Sequence, residues 1–338
     1  MVLILGLLAV AYMVAINTRA GQDFLLEHLA AAAMRDEPSA PPEGGLRVFM
    51  CGTSSPLPAP NRAQACVAVM ADDRLYVVDA GAGSPQVALL GGLPLENLRA
   101  LLLTHFHSDH IAAVGDFNLV SWVAGRPRPL EILGPVGVDR VVSGLNEMYA
   151  LDGAYRVEHH GAGFLPPELH ELVARTIEPG VVLDDGGLII TAFAVDHSPV
   201  KPAVGYRFEY GGRSVVITGD TIVTDGLIEA ARGADLLLAD AISLPIVEAL
   251  EHSARAAGRD RPAKILHDIQ EYHASTSSLA DAAQRADVHK LALYHLVPAP
   301  RNVLMKKIFL RGMPDTTVLA EDGMIFDLPA GGSEVLVR

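Results

Sequence analysis

Metal-binding side chains are concentrated in one heptapeptide, Thr104-His-Phe-His-Ser-Asp-His110. In an extended loop His105 and His107 point to the same side, so both imidazoles can bind one ion. The serine that follows can cap a helix whose first turn presents Asp109 and His110 to a second ion. With the His and Asp frequencies of this chain, such a string arises by chance on the order of one time in a thousand. Imidazole and carboxylate donors together favour zinc, although iron or manganese would accept the same donors.

The sequence from Leu46 onward is typical of an α/β protein, because short β-branched runs alternate with amphipathic stretches of helix length. The predicted strands are 47–51, 65–70, 75–78, 100–103, 130–133, 188–194, 203–210, 214–218, 236–239 and 290–294. The predicted helices are 109–124, 137–150, 226–231, 242–257, 277–286 and 303–311.

Polar side chains follow several of these strands directly: Asp79, His105, His197, Asp220 and His295. Ligands of α/β proteins usually bind at the carboxyl ends of the strands. The pattern therefore predicts that these five side chains converge on one site.

Three further segments complete a resemblance to the metallo-β-lactamase superfamily. They are Thr191-Ala-Phe-Ala-Val-Asp-His-Ser-Pro199 with Val204-Gly-Tyr-Arg-Phe208, Val215-Val-Ile-Thr-Gly-Asp-Thr221, and Leu291-Ala-Leu-Tyr-His295. The resemblance implies that His197 is the third histidine of the first ion, that Asp220 bridges both ions, and that His295 completes the second. It extends from about Leu46 to the C terminus and implies a four-layer αββα sandwich.

Within the superfamily, the chain resembles most closely the branch of ribonuclease Z and arylsulfatases. The motifs that fit are Gly52-Thr-Ser54, Gly205-Tyr-Arg207 and His273-Ala-Ser-Thr276. The resemblance implies that His273 assists the reaction near the leaving group. Two features depart from the tRNA-processing members: their long insertion between the counterparts of His197 and Asp220 has no room here, and their His-Glu-Ala motif becomes Ala239-Asp240-Ala241.

The resemblance also implies a mechanism. Two divalent ions that share Asp220 would hold a bridging water and lower its pKa from 15.7 toward roughly 7. The resulting metal-bound hydroxide is the expected nucleophile. Asp109 and His273 are the expected catalytic residues, with His273 protonating the departing oxygen, while Asp79 positions a histidine ligand or the loop backbone.

The charge of the chain bears on its substrate. The formal net charge is −14, from 26 basic and 40 acidic residues, and such a field repels polyanions unless a local basic patch overrides it. We therefore expect nucleic acid to be a disfavoured partner. The first hypothesis is a dinuclear metal-dependent hydrolase of small ester-type substrates, namely phosphodiesters, sulfate esters, lactones or β-lactams. The alternatives are a ribonuclease Z-like tRNA 3′-end endonuclease and a catalytically inactive, membrane-tethered metal-binding protein.

The amino terminus carries an uncharged apolar run at residues 2–16, short for a spanning helix and without the basic start of a good signal peptide. We interpret residues 1–20 as an apolar helix that serves as a signal peptide or membrane anchor, which predicts a periplasmic or membrane-anchored protein. A helix docked on the domain is the alternative. Residues 21–45 are expected to form a helix and a linker, and residues 46–338 the hydrolase domain.

The two cysteines, Cys51 and Cys66, are too few for a disulfide framework. We interpret them as small buried residues on neighbouring strands, although they could pair in an oxidising compartment. The sequence is also compatible with a homodimer.

Other polar residues receive ordinary interpretations. We predict surface or structural roles for His28, His159, His160, His170, His252 and His289. His267 lies near His273 in sequence and could support a ligand. Lys201 and Arg207 could hold a substrate anion, but strand-edge charges are the favoured interpretation.

Overall fold

The computed structural model describes residues 12–33 and 40–338. In residues 40–338, two β-sheets lie face to face. In chain order the strands are β1 Leu46–Gly52, β2 Cys66–Ala71, β3 Arg74–Val78, β4 Leu98–Leu102, β5 Glu131–Gly134, β6 Val173–Thr176, β7 Gly180–Asp185, β8 Leu188–Ala194, β9 Val204–Tyr210, β10 Arg213–Ile217, β11 Leu236–Ile242, β12 Lys290–Val297, β13 Val318–Leu319, β14 Ile325–Leu328 and β15 Leu336–Val337. In the described residues the first sheet has the order β15-β14-β1-β2-β3-β4-β5-β6, and the second β13-β12-β11-β10-β9-β8-β7.

Helices of residues 40–338 cover the outer faces of both sheets. In chain order the helices are α1 Arg19–Ala33, which precedes this part of the chain, and then α2 Ser84–Leu90, α3 Ser108–Ile111, α4 Val114–Val123, α5 Val138–His160, α6 Asp225–Ala230, α7 Leu244–Ala256, α8 Asp260–Asp268, α9 Thr276–Arg285 and α10 Val303–Phe309, with short 3₁₀ turns at Leu95–Asn97 and Pro167–Leu169. Side chains of α2, α4 and α5 share a core cluster with the first sheet. Side chains of α6, α7, α9 and α10 pack with the second sheet.

The pleat of each strand divides its side chains between two cores. In β1, Leu46, Val48 and Met50 point into the space between the sheets, where they join Phe208 and other residues of the second sheet. Phe49 and its alternate neighbours point outward to the helical layer. Successive strand residues face opposite sides, so a strand buried on both faces reads as a continuous apolar run. The expected four-layer αββα arrangement is therefore confirmed for the sandwich.

Parallel strands place their carboxyl ends at one edge of the sandwich. Strands β3 to β6 pair in parallel in the first sheet, and β10 to β13 do so in the second. The loops that follow β3, β4 and β10 leave from this edge. This common direction is what brings distant segments of the sequence to one site.

The structure also differs from the predicted elements. The helix predicted at 109–124 is divided into α3 and α4, and α5 continues ten residues beyond the predicted end at residue 150. Strand β6 was not predicted. Its four residues are all exposed, so its sequence lacks the alternation of apolar and polar residues that a strand with one buried face shows. Helix α8 was missed as well, with a single fully buried residue, Ala263.

The chain divides into two compact units, Met1–Ser39 and Ala40–Arg338. In the first unit, residues 12–17 and α1 are helical, while residues 2–11 of the predicted apolar helix lie outside the described residues. Within the described ranges, no helix is both long and apolar enough to cross a membrane. In the second unit, Cys51 on β1 and Cys66 on β2 are buried and joined by a disulfide bond.

Candidate metal centre

Asp79 organises the histidine-rich loop from the end of the neighbouring strand. Its carboxylate accepts hydrogen bonds from the backbone N–H and the hydroxyl of Thr104, both at 2.8 Å. It also lies 2.7 Å from Nδ1 of His110, which donates to it and therefore presents Nε2 as a ligand atom. Asp79 adopts the left-handed conformation, with φ of 58°, which few residues other than glycine, Asn and Asp tolerate.

One group of candidate ligands consists of His105, His107, His197 and Asp220. Nδ1 of His107 lies 3.0 Å from Nε2 of His105 and 3.3 Å from Nε2 of His197. The other ring nitrogen of His197 lies 3.0 Å from the carbonyl oxygen of Tyr272, to which it donates. That bond leaves Nε2 of His197 as a lone-pair donor that faces the other two rings.

A second group consists of Asp109, His110 and His295. Oδ2 of Asp109 lies 3.0 Å from Nε2 of His295 and 3.5 Å from Nε2 of His110. The two groups meet at Asp220, whose oxygens lie 3.4 Å from His110 and from His295, and 3.8 Å from His197. The structure thus brings all seven residues predicted as ligands to one place.

Local backbone geometry makes this convergence feasible. Gly219, next to Asp220, has φ of 62°, and a Cβ there would lie 2.8 Å from Cβ of Thr104. Glycine is therefore needed for the two ligand loops to approach each other. His295 is the extra residue of a β-bulge, because Tyr294 pairs with Asp240 and Leu296 with Ala241. The bulge, with φ of 43° at His295, re-aims this side chain toward the centre although the strand continues beyond it.

The donors fit a metal ion by their chemistry and by their lack of other partners. Nε2 of His110, Oδ1 of Asp220 and Nδ1 of His295 are buried without a hydrogen-bond partner among the described residues. Buried polar atoms of this kind are costly unless something satisfies them. Nitrogen and carboxylate donors in a set that includes five histidines suit zinc, and also iron or manganese.

His273 lies against the same cluster, and its ring is hydrogen-bonded to Asp240, a residue for which no role at the site was predicted. Its Nδ1 lies 2.9 Å from Oδ2 of Asp240 and 3.9 Å from Oδ2 of Asp220. Both carboxylates, with His273 and His295, form a third group close enough to hold an ion. The sequence feature that could have indicated a role for Asp240 is its position in the apolar strand Leu236–Ile242. A carboxylate buried there without a partner would destabilise the fold.

Burial and mutual charge set the protonation of the centre. Burial alone raises the pKa of Asp220, but the charges of His295 and His110 outweigh it and hold the pKa well below the usual range. Burial lowers the pKa of His197 and that of His273 to about 4. Burial also lowers the pKa of His110, but Asp220 and Asp79 more than compensate, so that its pKa lies well above the usual value.

A cavity of about 320 Å³ opens onto the centre. One side is formed by His107, Ser108, Asp109, Asp220 and His273. The facing wall is mostly apolar and is lined by Pro56, Leu57, Ile265, Ile269, Tyr272 and Val297. The cavity is therefore polar and charged on the side of the candidate ligands and mostly apolar on the other side.

The remaining candidates lie elsewhere. His267 is half exposed on α8 and lies 3.3 Å from Glu251, so it supports no ligand. Arg207 forms an ion pair with Glu209 at 3.1 Å and donates to the carbonyl oxygen of Ala230. Lys201 is exposed and lines no part of the cavity.

Comparison with known proteins places this geometry in a family. A sequence profile described as the metallo-beta-lactamase superfamily matches residues 59–267. A protein named Ribonuclease Z from Mycobacterium bovis (strain BCG / Pasteur 1173P2) is 39% identical over 259 residues, covering 75% of this chain and 87% of that protein. Among solved structures, the metallo-beta-lactamase fold protein YhfI from Bacillus subtilis aligns with a TM-score of 0.60 at 22% identity, over 83% of this chain and 98% of YhfI. Human tRNase Z, short form, aligns with a TM-score of 0.58 at 20% identity, over 84% and 99% of the two chains.

These relationships correct three expectations. The predicted periplasmic or membrane-anchored location is wrong, because it conflicts with the relationship of this chain to curated proteins named Ribonuclease Z. The expectation that nucleic acid is a disfavoured partner conflicts with the same relationship. Net charge is a property of the whole surface, so it does not exclude local binding of a polyanion. The arylsulfatase side of the expected branch receives no support from these relatives.

The family match spans well over half of the chain, and the relative named Ribonuclease Z is covered over most of its length. The matched segment contains His105, His107, Asp109, His110, His197 and Asp220. This chain is a hydrolase that belongs to the metallo-β-lactamase superfamily and is related within it to proteins named Ribonuclease Z.

Proposed function

We propose that this chain uses two divalent metal ions, in the first place zinc, to hydrolyse phosphodiester bonds in RNA, the activity contained in the name of its curated relatives. The observation that carries the proposal is the position of Asp220, which lies 3.4 Å from His110 and 3.8 Å from His197 and has a buried oxygen without a hydrogen-bond partner in the described part of the chain. A carboxylate in this place can serve two ions at once.

The ligands follow from the two groups of donors. The first ion is assigned His105, His107 and His197, the second Asp109, His110 and His295, and both share Asp220. Asp109 acts in this assignment as a ligand, and Asp79 acts indirectly by holding His110 in place. Two divalent ions of this kind supply Lewis acidity and make water a competent nucleophile near neutral pH.

His273 is assigned the proton transfer to the departing oxygen. Its Nδ1 is occupied by Asp240, so Nε2 is the atom left to face a substrate. Burial raises the pKa of the Asp240 carboxyl group and lowers the pKa of the His273 ring to about 4, because it disfavours the charged form of each group. Perturbed pKa values in a hydrogen-bonded pair beside a candidate site support a role in proton transfer.

The absence of the long insertion does not argue against an RNA substrate. The alignment with the relative named Ribonuclease Z has 259 positions, and 75% of the 338 residues of this chain, about 254 residues, occupy them. Only about five positions are therefore gaps in this chain, so that relative cannot carry a long insertion between the counterparts of His197 and Asp220. The tight β9–β10 connection at Gly211 and Gly212 fits a protein of this relationship.

A second candidate is hydrolysis of small ester-type substrates, and the shape of the cavity favours it. A space of about 320 Å³ with an apolar wall can enclose a small phosphodiester, sulfate ester, lactone or β-lactam. The same wall could also receive a single nucleobase at the end of an RNA chain. The shape of the cavity therefore does not decide between the two candidate functions, and a comparison of substrates is needed.

The deciding experiment compares substrates on enzyme whose metal content has been measured. A 3′-extended tRNA precursor is assayed beside chromogenic phosphodiester, sulfate, carboxyl ester, lactone and β-lactam substrates. We expect cleavage of the precursor with the highest kcat/KM, loss of that cleavage in His197→Gln, and full activity in the exposed control His252→Gln. Efficient turnover of a small substrate with an intact precursor would establish the second candidate instead.

A further inference from the structure

Two long segments of this acidic chain contain no acidic residue. Asp and Glu together number 40 in 338 residues, yet residues 44–71 and 288–314 contain none. The second segment carries five basic residues: Lys290, Arg301, Lys306, Lys307 and Arg311. A negative overall field repels polyanions, but a local basic surface attracts them. The uneven distribution of charge therefore points to the region where these two segments meet.

Both segments run from the wall of the cavity at the metal centre into one groove. Leu57 and Val297 line the cavity, and Arg301 donates a hydrogen bond to the carbonyl oxygen of Pro58. The four residues from Val297 to Arg301 span at most about 14 Å of extended chain. A groove of about 400 Å³ follows, and its charged lining residues are Arg62, Arg301, Lys306, Glu321 and Asp322. The groove therefore adjoins the cavity.

The acidic residues of the groove are already engaged by the protein. Asp322 accepts a hydrogen bond from the hydroxyl of Thr53 at 2.6 Å and another from a backbone N–H. Glu321 forms an ion pair with Lys306 and lies 3.7 Å from Arg62. Arg62 is mostly buried and donates to the same hydroxyl and to a backbone carbonyl oxygen. These charges therefore compensate one another inside the groove.

Three cations in and beside the groove have no acidic partner within the described residues. Arg301 donates to a backbone carbonyl oxygen, which leaves its charge uncompensated. Lys307 on α10 and Arg311 in the turn after this helix are exposed. At 100° per residue, Lys306, Lys307 and Arg311 fall within an arc of about 140°. This arc lies away from the buried ring of Phe309, so the uncompensated cations extend the groove along the exposed side of α10.

We propose that Arg301, Lys307 and Arg311 form a basic surface that binds the phosphates of an RNA strand next to the bond that is cleaved. Arginine and lysine side chains are common phosphate contacts, and such contacts position a strand without reading its sequence. The strand continues from the cavity through the groove. This assignment rests on the proposed ribonuclease function, and it gives an acidic chain a local means of holding a polyanion.

The test measures binding of a short single-stranded oligouridylate to the full chain, with its metal content known and the RNA checked for intactness after each measurement. The variant Arg301→Gln/Lys307→Gln/Arg311→Gln removes the three cations. Each phosphate contact to a single strand contributes about 0.7 to the slope of log K against log salt concentration, so the slope should become shallower by about 2. At 0.1 M salt this corresponds to a loss of affinity of about 100-fold.

A matched control separates the basic surface from the overall charge of the chain. The variant Arg175→Gln/Arg232→Gln/Arg285→Gln removes three exposed arginines elsewhere and changes the net charge equally. It should bind the oligouridylate with the slope of the wild type. Equal losses in both variants would mean that only total charge matters, which overturns the proposal. An unchanged slope in the variant of the basic surface, or a wild-type chain that does not bind, overturns it as well.

Catalytic measurements separate this proposal from the proposed function. In the variant of the basic surface, KM for the 3′-extended tRNA precursor should rise while kcat changes little. The value of kcat/KM for a small chromogenic phosphodiester should stay at that of the wild type, because this substrate does not reach the groove. Cleavage of the precursor without a change in slope or KM rejects the basic surface alone. The expected change in slope with an intact precursor rejects the proposed function and retains the surface as a site for RNA.

Discussion

Nδ1 of His273 lies 2.9 Å from Oδ2 of Asp240, which is a full ångström closer than its distance to Asp220. The ring is thereby held by a carboxylate outside the two histidine groups. The second oxygen of Asp240 is buried without a hydrogen-bond partner among the described residues. This hydrogen bond supports the proposed proton-transfer role of His273, which the first two predictions test against a role as a metal ligand.

His273→Ala should lower turnover by about 10²- to 10⁴-fold, the usual contribution of a general acid. Metal content should stay near two ions per chain, as measured by atomic emission. The loss should shrink for substrates with good leaving groups, because an anion that departs easily needs little protonation. Loss of an ion from the variant would show instead that His273 is a ligand or the support of one.

Asp240→Asn should lower turnover less than His273→Ala does, since the ring remains but its orientation and proton affinity change. In the double variant the two effects should not add, because Asp240 acts through the His273 ring to which it is hydrogen-bonded. The measurement is kcat for the single and double variants with one poor leaving group. Strict additivity would mean that the two residues act separately.

Asp79→Asn should reduce affinity for the second ion by about 10- to 100-fold, the usual effect of losing a hydrogen-bond partner of a histidine ligand. The reason is that Asp79 fixes Nδ1 of His110 and also holds the backbone of Thr104. Titration with a chelator measures the change. Asp225→Asn, at an exposed aspartate on α6, is the control and should bind metal as the wild type does.

Metal binding at pH 7 should release protons. The pKa of His110 and that of His295 are raised in the metal-free chain, because nearby carboxylates overcome the effect of burial. Raised values mean that these rings carry protons that an ion must displace, so metal affinity should fall as the pH is lowered. Calorimetry in buffers of different ionisation enthalpy counts the protons. Identical heats in all buffers would contradict the prediction.

Several properties of this protein follow from local sequence. The spacing of the histidine-rich heptapeptide limits which side chains can face a common point, and the apolar runs around it require strands buried on both faces. Positions of polar residues directly after these runs identify the candidate ligands, because strand ends share one edge in parallel sheets. All ten predicted strands begin or end within one residue of the observed boundaries, since their apolar patterns are strong.

Other properties exist only after the chain has folded. His295 owes its direction to a β-bulge between β11 and β12, and the bulge depends on pairing between strands about fifty residues apart. Asp240 acquires its partner only when the loop carrying His273 crosses the end of β11. In each case the deciding interactions are long-range, and local residue patterns do not determine which distant groups will meet.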